Sequence, residues 1–523
     1  MSTKIPSAIK AELKQMLDYK VWIPVSRDYL PQSVKIIPSN MFTIEKYGPN
    51  GEYIKHKSRL VAGGQKEWIP STYDTSSPTV QLETIYLALN IATTEKFGFD
   101  TMDVGGAFLE AKLNRDDVYI ELGRENVKIL LEIDDSYSKF VDKDGKVVVK
   151  LVKAMYGLKE ASMEWYKHLI KVLKEFGFQE CKHDSAMMYK KNKANNKIEH
   201  MILLHVDDML SIGTKQSRSQ LVEFMKTKFK KVTENLHEYF QQYVGLVIER
   251  DENGSIWLSQ PGHVQQIIDG FGLNDNATSI TPCDQKLFDE SNESELIPDP
   301  KLYRSQVMKL MYLTRTRPDI KLPVTYLSTK MQEPRQSDYI KLCKVAKYIN
   351  LTREFKMQFQ PSNMQLRCSA DASYAVHKDG KGHSGFCMWL GNENAAIDVV
   401  SKKQVLTSSS STESEMIALS EAGKRVVWTR DYLQELGYVQ DVTTIEQDNQ
   451  SSITLINKGP GRAGQSKSIR VRNFWVSNEI QERSIELAYV PSEEILADGY
   501  TKPLARDRFI NWRNRVLNVD TRE

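Results

Sequence analysis

Apolar residues recur along this chain at two different periods, and the alternation between them predicts a mixed α/β protein. VVVKLV (147–152) and MILLHV (201–206) read as strands, whereas ETIYLALNIATTEKFG (83–98) and SMEWYKHLIKVLKEFG (162–177) carry helical spacing. GHVQQIIDGFGL (262–273), YRSQVMKLMYLTRTRPDI (303–320) and YIKLCKVAKYINL (339–351) predict a helical middle region. Beyond it lie the strand candidates QLRCSAD (365–371), SGFCMWLG (384–391) and AIDVVSK (396–402), then a helix from about Thr412 to Leu436. The acidic, proline-punctuated QKLFDESNESELIPDPK (285–301) reads as a linker or long loop, and QPSNMQ (360–365) as a weaker seam. No internal repeat relates the two α/β regions, so two different domains are expected.

At 523 residues the chain exceeds a single core. Its 71 Lys plus Arg against 68 Asp plus Glu leave a formal charge of +3, so global charge does not announce a nucleic-acid binder. Five scattered cysteines (Cys181, Cys283, Cys343, Cys368, Cys387) without a C-x-x-C pair, and nine dispersed histidines, argue against a disulfide framework or a zinc site. No apolar run approaches the roughly 18 residues of a membrane span, and MSTKIPSAIKAELKQ lacks a signal-peptide core, which predicts a cytoplasmic protein.

Charge enters most sharply at MILLHVDDML (201–210), where a continuous apolar run ends in Asp207 and Asp208. An unpaired buried charge costs several kcal/mol, so this pair either occupies an exposed turn or faces a cation. Two-metal phosphoryl transfer holds divalent ions about 3.5 to 4 Å apart on carboxylates from different segments. TMDVGGAFLEAKL (101–113) offers Asp103, with Gly105, Gly106 and Ala107 expected to keep bulk away from phosphates, and Phe108 five positions on. In HKSRLVAGG (56–64), Lys57 and Arg59 stand at i and i+2 and share one face of a strand. KAMYGLKEASMEW (153–165) joins a strand-like run to a helix through a glycine, which lets the backbone approach a nucleotide. Taken singly, each stretch is as readily a turn or a solvated edge.

The C-terminal region supplies a second carboxylate set. RCSADASYA ends a strand in Asp371, and SSSSTESEMIALSEA opens a helix on which Glu415 shares a face with Ala418, Leu419 and Ala422 while Glu413 falls outward. TTIEQDNQSSI places Asp448 at a strand end before a helix, and VPSEEILADGYTKPL places Asp498 near the start of the last one. NKGPGRAGQSK has Gln465 where a phosphate-binding loop needs lysine, and reads as a flexible basic loop.

HKSRLVAGG, MDVGGAFLEAKL, KAMYGLKEASMEW, LLHVDDML and YVGLVIERDENGSIWLSQ, in that order, resemble the reverse transcriptase of copia-type (pseudovirus) LTR retrotransposons. SADASYA, STESEMIAL, EQDNQSSI and ILADGYTKPL resemble the RNase H motifs of the same elements. The resemblance implies a right-hand polymerase with fingers, palm and helical thumb, followed by an RNase H-like mixed α/β domain. The divisions it implies are an N-terminal extension (1–19), fingers and palm (20–245), thumb or connection (246–362), RNase H (363–505) and a C-terminal tail (506–523). It makes Asp103, Asp207 and Asp208 the polymerase metal ligands, and Asp371, Glu415, Asp448 and Asp498 those of RNase H. Lys57, Arg59, Phe108, Tyr156 and Gly157 would contact the nucleotide, and Tyr243, Val244 and Gly245 would support the primer end.

The implied function is RNA- and DNA-templated DNA synthesis with degradation of RNA in RNA–DNA hybrids, using two Mg²⁺ per site with Mn²⁺ as a substitute. The implied partners are an RNA template, a tRNA-derived primer, the hybrid, dNTPs, and a second copy or the integrase of the same polyprotein, within virus-like particles and without a membrane. His205, Glu160 and Ser162 depart from the family pattern, and no counterpart of the RNase H histidine lies around VPSEEILADG. An RNA-binding protein that keeps the fold without catalysis, and a nuclease alone, remain as alternatives.

Overall fold

The computed structural model describes residues 4–519 apart from 32–33, 48–52, 68, 70–72, 238, 291–293 and 460–466. A six-stranded antiparallel sheet lies at the centre of the N-terminal half, in the order Val232–Asn235, Gly98–Val104, Asp208–Gly213, Ile198–His205, Met187–Lys191, Gln179–Glu180. Its apolar runs are continuous because both faces are covered. Phe99, Met201, Leu203, Leu210 and Ile212 join one core with the helix Leu82–Thr94. Met102, Ile202, Leu204 and Met209 join another with the helices Ala161–Phe176 and Lys215–Lys228. The period-two alternation of a strand sends neighbouring residues to opposite cores.

A five-stranded sheet beside it runs Trp22–Val25, Val147–Leu151, Tyr119–Leu122, Ile36–Tyr47, Tyr53–Ala62. The helix Lys4–Asp18 packs on this region, burying Leu13 and Met16 and turning Glu12 onto the Leu60 N–H at 3.1 Å. The segment set apart from the sequence as an N-terminal extension is thus part of the core.

The middle region holds the helices Pro261–Gly270, Pro300–Leu313, Lys321–Ser328 and Gln336–Leu351. It also holds a sheet that the sequence reading missed, Phe240–Tyr243, Leu246–Arg250, Ile256–Ser259 and Met357–Phe359. The expected linker at 285–301 has no loose character where described: Leu287 is buried, and the Phe288 ring packs 5.2 Å from Tyr326 and 5.3 Å from His377. The seam at 360–365 is likewise packed, with Met364 buried and the Ser362 N–H on Thr94 Oγ1 at 3.3 Å.

The last sheet runs Asp398–Lys403, His383–Leu390, Leu366–Ser373, Thr443–Gln447, Ile485–Tyr489, antiparallel in its first three strands and parallel thereafter. The helix Ser411–Leu436 lies across it. Residues read as a tail from 506 onward instead form the helix Arg506–Leu517, which buries Phe509, Trp512, Val516 and Leu517. One continuous core extends from Ile85 to Leu517, joining the two halves. Most of the loop NKGPGRAGQSK (457–467) lies outside the described residues, and among these no helix is long and apolar enough to cross a membrane.

Candidate active sites

The hairpin joining Ile198–His205 to Asp208–Gly213 turns through Val206 and Asp207. Val206 takes φ +61°, a conformation costing a β-branched residue on the order of 1–3 kcal/mol. The Trp165 indole holds it there by donating to the Val206 carbonyl at 2.7 Å. Asp208 pairs directly with Asp103 on the neighbouring strand, so carboxylates from two segments meet beside the turn that carries Asp207. Burial pushes the Asp208 carboxyl up to about 6, and Asp103 and Asp207 add to the shift against donation from the Val244 and Met209 N–H groups.

These residues border a cavity of about 820 Å³. The lining includes His205, Val206, Asp207 and Asp208 from the hairpin together with Arg59, Phe108 and Tyr156. Phe108 meets Tyr156 edge-on at 5.1 Å, and the Arg59 guanidinium lies 4.8 Å over the Tyr156 ring. Val244, Tyr312 and Arg315 complete the lining. The Val244 carbonyl accepts from the Tyr312 hydroxyl at 3.2 Å and from Arg315 Nη1 at 3.1 Å. Burial lowers the His205 pKa, with Asp207 opposing and Arg315 reinforcing the shift.

The second cluster gathers Asp371, Glu415 and Asp448, whose ligand oxygens lie within 4.8 Å of one another. Asp371 comes from the central strand, Glu415 from the second turn of the long helix, and Asp448 from the end of Thr443–Gln447. Each is held by a neighbour: the Thr501 hydroxyl donates to Asp371, Gln447 Nε2 to Glu415 at 3.1 Å, and the Ser492 hydroxyl to Asp448 at 2.6 Å. Burial raises Asp371 to about 6, with Lys502 pulling down and Asp498 up, and it raises Glu415 well above the usual carboxylate range. Glu413 sits at the helix start, accepting from the Ser409 N–H at 2.8 Å and the Ser409 hydroxyl at 2.7 Å.

Residues 19–285, just over half of the chain, match the family described as reverse transcriptase (RNA-dependent DNA polymerase). The chain belongs to this reverse transcriptase family. Relatives include the retrovirus-related Pol polyprotein from transposon RE1 of Arabidopsis thaliana, 26% identical over 98% of this chain and 33% of the relative. The Pol polyprotein from transposon TNT 1-94 of Nicotiana tabacum is 27% identical over 90% of this chain and 34% of its own length. The chain therefore spans about a third of these relatives. The foamy viral protease-reverse transcriptase, solved in complex with double-stranded DNA, shares the fold with a TM-score of 0.53 at 12% identity, over 94% of this chain and 70% of that one.

Against this reverse transcriptase fold, the expected residues separate into those at a cavity and those behind it. Arg59 borders the cavity, whereas Lys57, two residues earlier on the same strand, is not part of its lining. Both cations lie near Glu12, whose own pKa burial raises. Gly157, at φ +92°, does not line the cavity: a Cβ there would come within 2.1 Å of the Ala62 carbonyl, so the glycine admits a strand and not a nucleotide. Gly105 and Gly106 likewise accommodate Lys231 and Gln15. Tyr243 is buried beneath Val244, and Gly245, at φ +79°, lies under the Tyr312 hydroxyl. Glu160 is withdrawn from the cavity and ion-paired with Arg115 at 3.3 Å.

Asp498 stands beside the second cluster, close enough to raise the Asp371 pKa. It lies in the turn Leu496–Tyr500, ahead of the last helix, and is not in the group of three among the described residues. Its Oδ1 is 2.6 Å from Lys502 Nζ and its Oδ2 2.5 Å from Arg508 Nη2. Lys502 also reaches Asp371 at 3.4 Å. Burial works to lower the Lys502 pKa, but Asp371 and Asp498 outweigh it and raise it. Sequence reasoning missed Lys502, Arg508, Tyr312 and Arg315. The pairing of Asp498 with Lys502 at i, i+4 was the one relationship within reach of the sequence.

Proposed function

We propose that the chain is an RNA- and DNA-templated DNA polymerase whose second carboxylate cluster hydrolyses RNA in RNA–DNA hybrids. The observation that carries the polymerase reading is the pairing of Asp208 with Asp103 beside a cavity that also presents Arg59, Phe108 and Tyr156. The division that fits this reading is fingers and palm over 20–245, thumb over 246–362 and an RNase H-like part from 363.

Crowded carboxylates with raised pKa values fit a divalent cation, and an all-oxygen donor set suits Mg²⁺, with Mn²⁺ as a substitute. Asp103, Asp207 and Asp208 would hold it in one site, and Asp371, Glu415 and Asp448 in the other, with Asp498 adjoining through Lys502. Two such ions, when bound, activate the attacking oxygen and stabilise the leaving one.

The chain's own part is positioning and charge. Arg59 neutralises the triphosphate, and the Phe108–Tyr156 pair forms a floor beneath the sugar. The Val244 turn, braced by Tyr312 and Arg315, supports the primer so that its 3′ oxygen lies in line with the α-phosphorus of a dNTP. Thr501, Gln447 and Ser492 orient the nuclease carboxylates, as partners of ligands do. The substrates are an RNA template with a tRNA-derived primer, dNTPs and the resulting hybrid. The relatives are Pol polyproteins of transposons, which supports action within virus-like particles alongside the integrase or a second copy. Of the two departures on which the nuclease-only reading rests, Glu160 lies away from the cavity and His205 lines it.

Primer extension on RNA and DNA templates, assayed with hybrid cleavage in Mg²⁺ and in EDTA, tests the proposal. Metal-dependent extension on both templates together with cleavage supports it. Binding of nucleic acid with neither activity would leave the non-catalytic alternative in its place.

A further inference from the structure

The two halves of the molecule also meet where the turn before Met187–Lys191 packs on the C-terminal end of the helix Ser411–Leu436. There Cys181, His183 and Glu435 each bring a ligand atom within 4.8 Å of the others. Glu435 Oε2 is 3.6 Å from Cys181 Sγ and 2.9 Å from His183 Nδ1. Zinc bonds of about 2.3 Å to sulfur and about 2.0 Å to nitrogen or oxygen give tetrahedral edges of about 3.5 Å from sulfur to oxygen and about 3.3 Å from nitrogen to oxygen. The two distances from Glu435 Oε2 are thus close to those edges, and the third pair, Cys181 and His183, lies within 4.8 Å.

Their surroundings hold them in that order. The Lys182 N–H is shared between Glu435 Oε1 at 3.0 Å and Oε2 at 3.1 Å, and Oε1 also accepts from the Tyr189 hydroxyl at 3.2 Å, while the thiol and the imidazole both approach Oε2. The Trp428 ring stands edge-on to His183 at 6.3 Å. The Lys191 ammonium is engaged by the Glu435 main-chain carbonyl at 3.1 Å and not by the carboxylate. His183 and Glu435 keep 22% and 10% of their side-chain surface accessible, enough for an ion and a fourth, water ligand to enter. A thiolate, imidazole and carboxylate set selects zinc-class ions, whereas the two catalytic clusters offer oxygen alone.

We propose that Cys181, His183 and Glu435 form a zinc-class metal site that fastens the polymerase half to the RNase H-like half. Binding releases the Cys181 thiol proton to solvent as the metal–sulfur bond forms, moves the His183 proton from Nδ1 to Nε2 through solvent so that the Nδ1 lone pair meets the metal, and exchanges the hydrogen bonds at Glu435 Oε2 for a metal–oxygen bond. The spacing C-x-H is too sparse to announce such a site in the sequence, because the third ligand arrives 252 residues beyond His183.

Cobalt(II) titration of the full, metal-stripped chain tests this, since a thiolate ligand gives Co²⁺ a near-ultraviolet charge-transfer band that carboxylate sites do not produce. We expect the band to saturate at one equivalent, to disappear in Cys181→Ser, and to need at least about tenfold more Co²⁺ in the near-isosteric Glu435→Gln. Zn²⁺ should bleach it. Absence of the band from the unmodified chain at saturating Co²⁺ overturns the proposal, and that measurement requires no variant to fold. A band that survives in a folded Cys181→Ser chain overturns it equally, because it would belong to another cysteine.

Discussion

Asp208 faces Asp103 directly across two antiparallel strands. With Asp207 beside them and the site partly buried, the Asp208 carboxyl is pushed up to about 6, mainly by burial. Without a cation, keeping this partly exposed carboxylate charged beside two others destabilises the fold by an amount on the order of 1 kcal/mol after solvent screening, burial contributing most. Asp208→Asn is therefore expected to melt higher than the parent chain in EDTA, while Mg²⁺ should stabilise the parent more than the variant. Thermal melts in both conditions check this. A variant that melts lower in EDTA would show that the carboxylates are not held in conflict.

A second expectation concerns acid. His200 is fully buried between Ser217 Oγ at 2.9 Å and Ser211 Oγ at 2.7 Å, and burial, with Arg218 and Lys190, lowers its pKa to about 3. The unfolded chain binds a proton near pH 6.5, but the folded chain does not. Its contribution is thus intact above about pH 6.5 and is lost as pH falls toward 3, amounting to about 2 kcal/mol at pH 5. Urea unfolding at pH 7 and pH 5 should show His200→Gln with a pH dependence flatter by that amount. An unchanged difference would mean that His200 takes up a proton in the folded state.

The neighbouring glutamates of the long helix should behave oppositely. Glu415 is buried against Asp371 and Asp448, whereas Glu413 bonds Ser409 at the helix start. Glu415→Gln should abolish hybrid cleavage. Glu413→Gln should lose only a terminal helix contact, on the order of 1 kcal/mol of stability. Cleavage by the Glu415 variant with an inactive Glu413 variant would reverse the assignment.

Phe108 offers a test of sugar selection. Its ring lies at the cavity edge-on to Tyr156, and the proposed function sets it beneath the sugar of the incoming nucleotide. Phe108→Val should raise ribonucleotide use relative to deoxynucleotide use, by a few kcal/mol at most. A ring acting only in the core would instead cost about 3 to 5 kcal/mol of stability and depress both substrates alike. The ratio of kcat/KM for dNTP and rNTP separates the two.

What the sequence made legible were contacts written locally or by period. The run MILLHV reads as a strand because both faces of the sheet bury it, and helical phase alone separated Glu415 from Glu413. Contacts between distant segments were not legible. Tyr312, at the end of the helix Pro300–Leu313, and Arg315, just beyond it, reach the cavity only because that helix end folds back on the turn at Val244. The glycines at 105, 106 and 157 announced close approach, but the partners that approach are protein atoms. Asp498 was read as a metal ligand of the second cluster, and the sequence does not show Arg508 converging with Lys502 upon it. Cys181 and His183 gave no metal signal until Glu435 joined them.

The central claim is that the chain carries two separate carboxylate sites, one for synthesis and one for hybrid cleavage. The most direct measurement assays primer extension on an RNA template and hybrid cleavage side by side in Asp207→Asn and Asp448→Asn, with folding checked by circular dichroism. Asp207→Asn is expected to lose extension by about two orders of magnitude or more while cleavage persists, and Asp448→Asn to do the reverse. Loss of both activities in either folded variant, or of neither in both, would contradict the assignment of two independent sites.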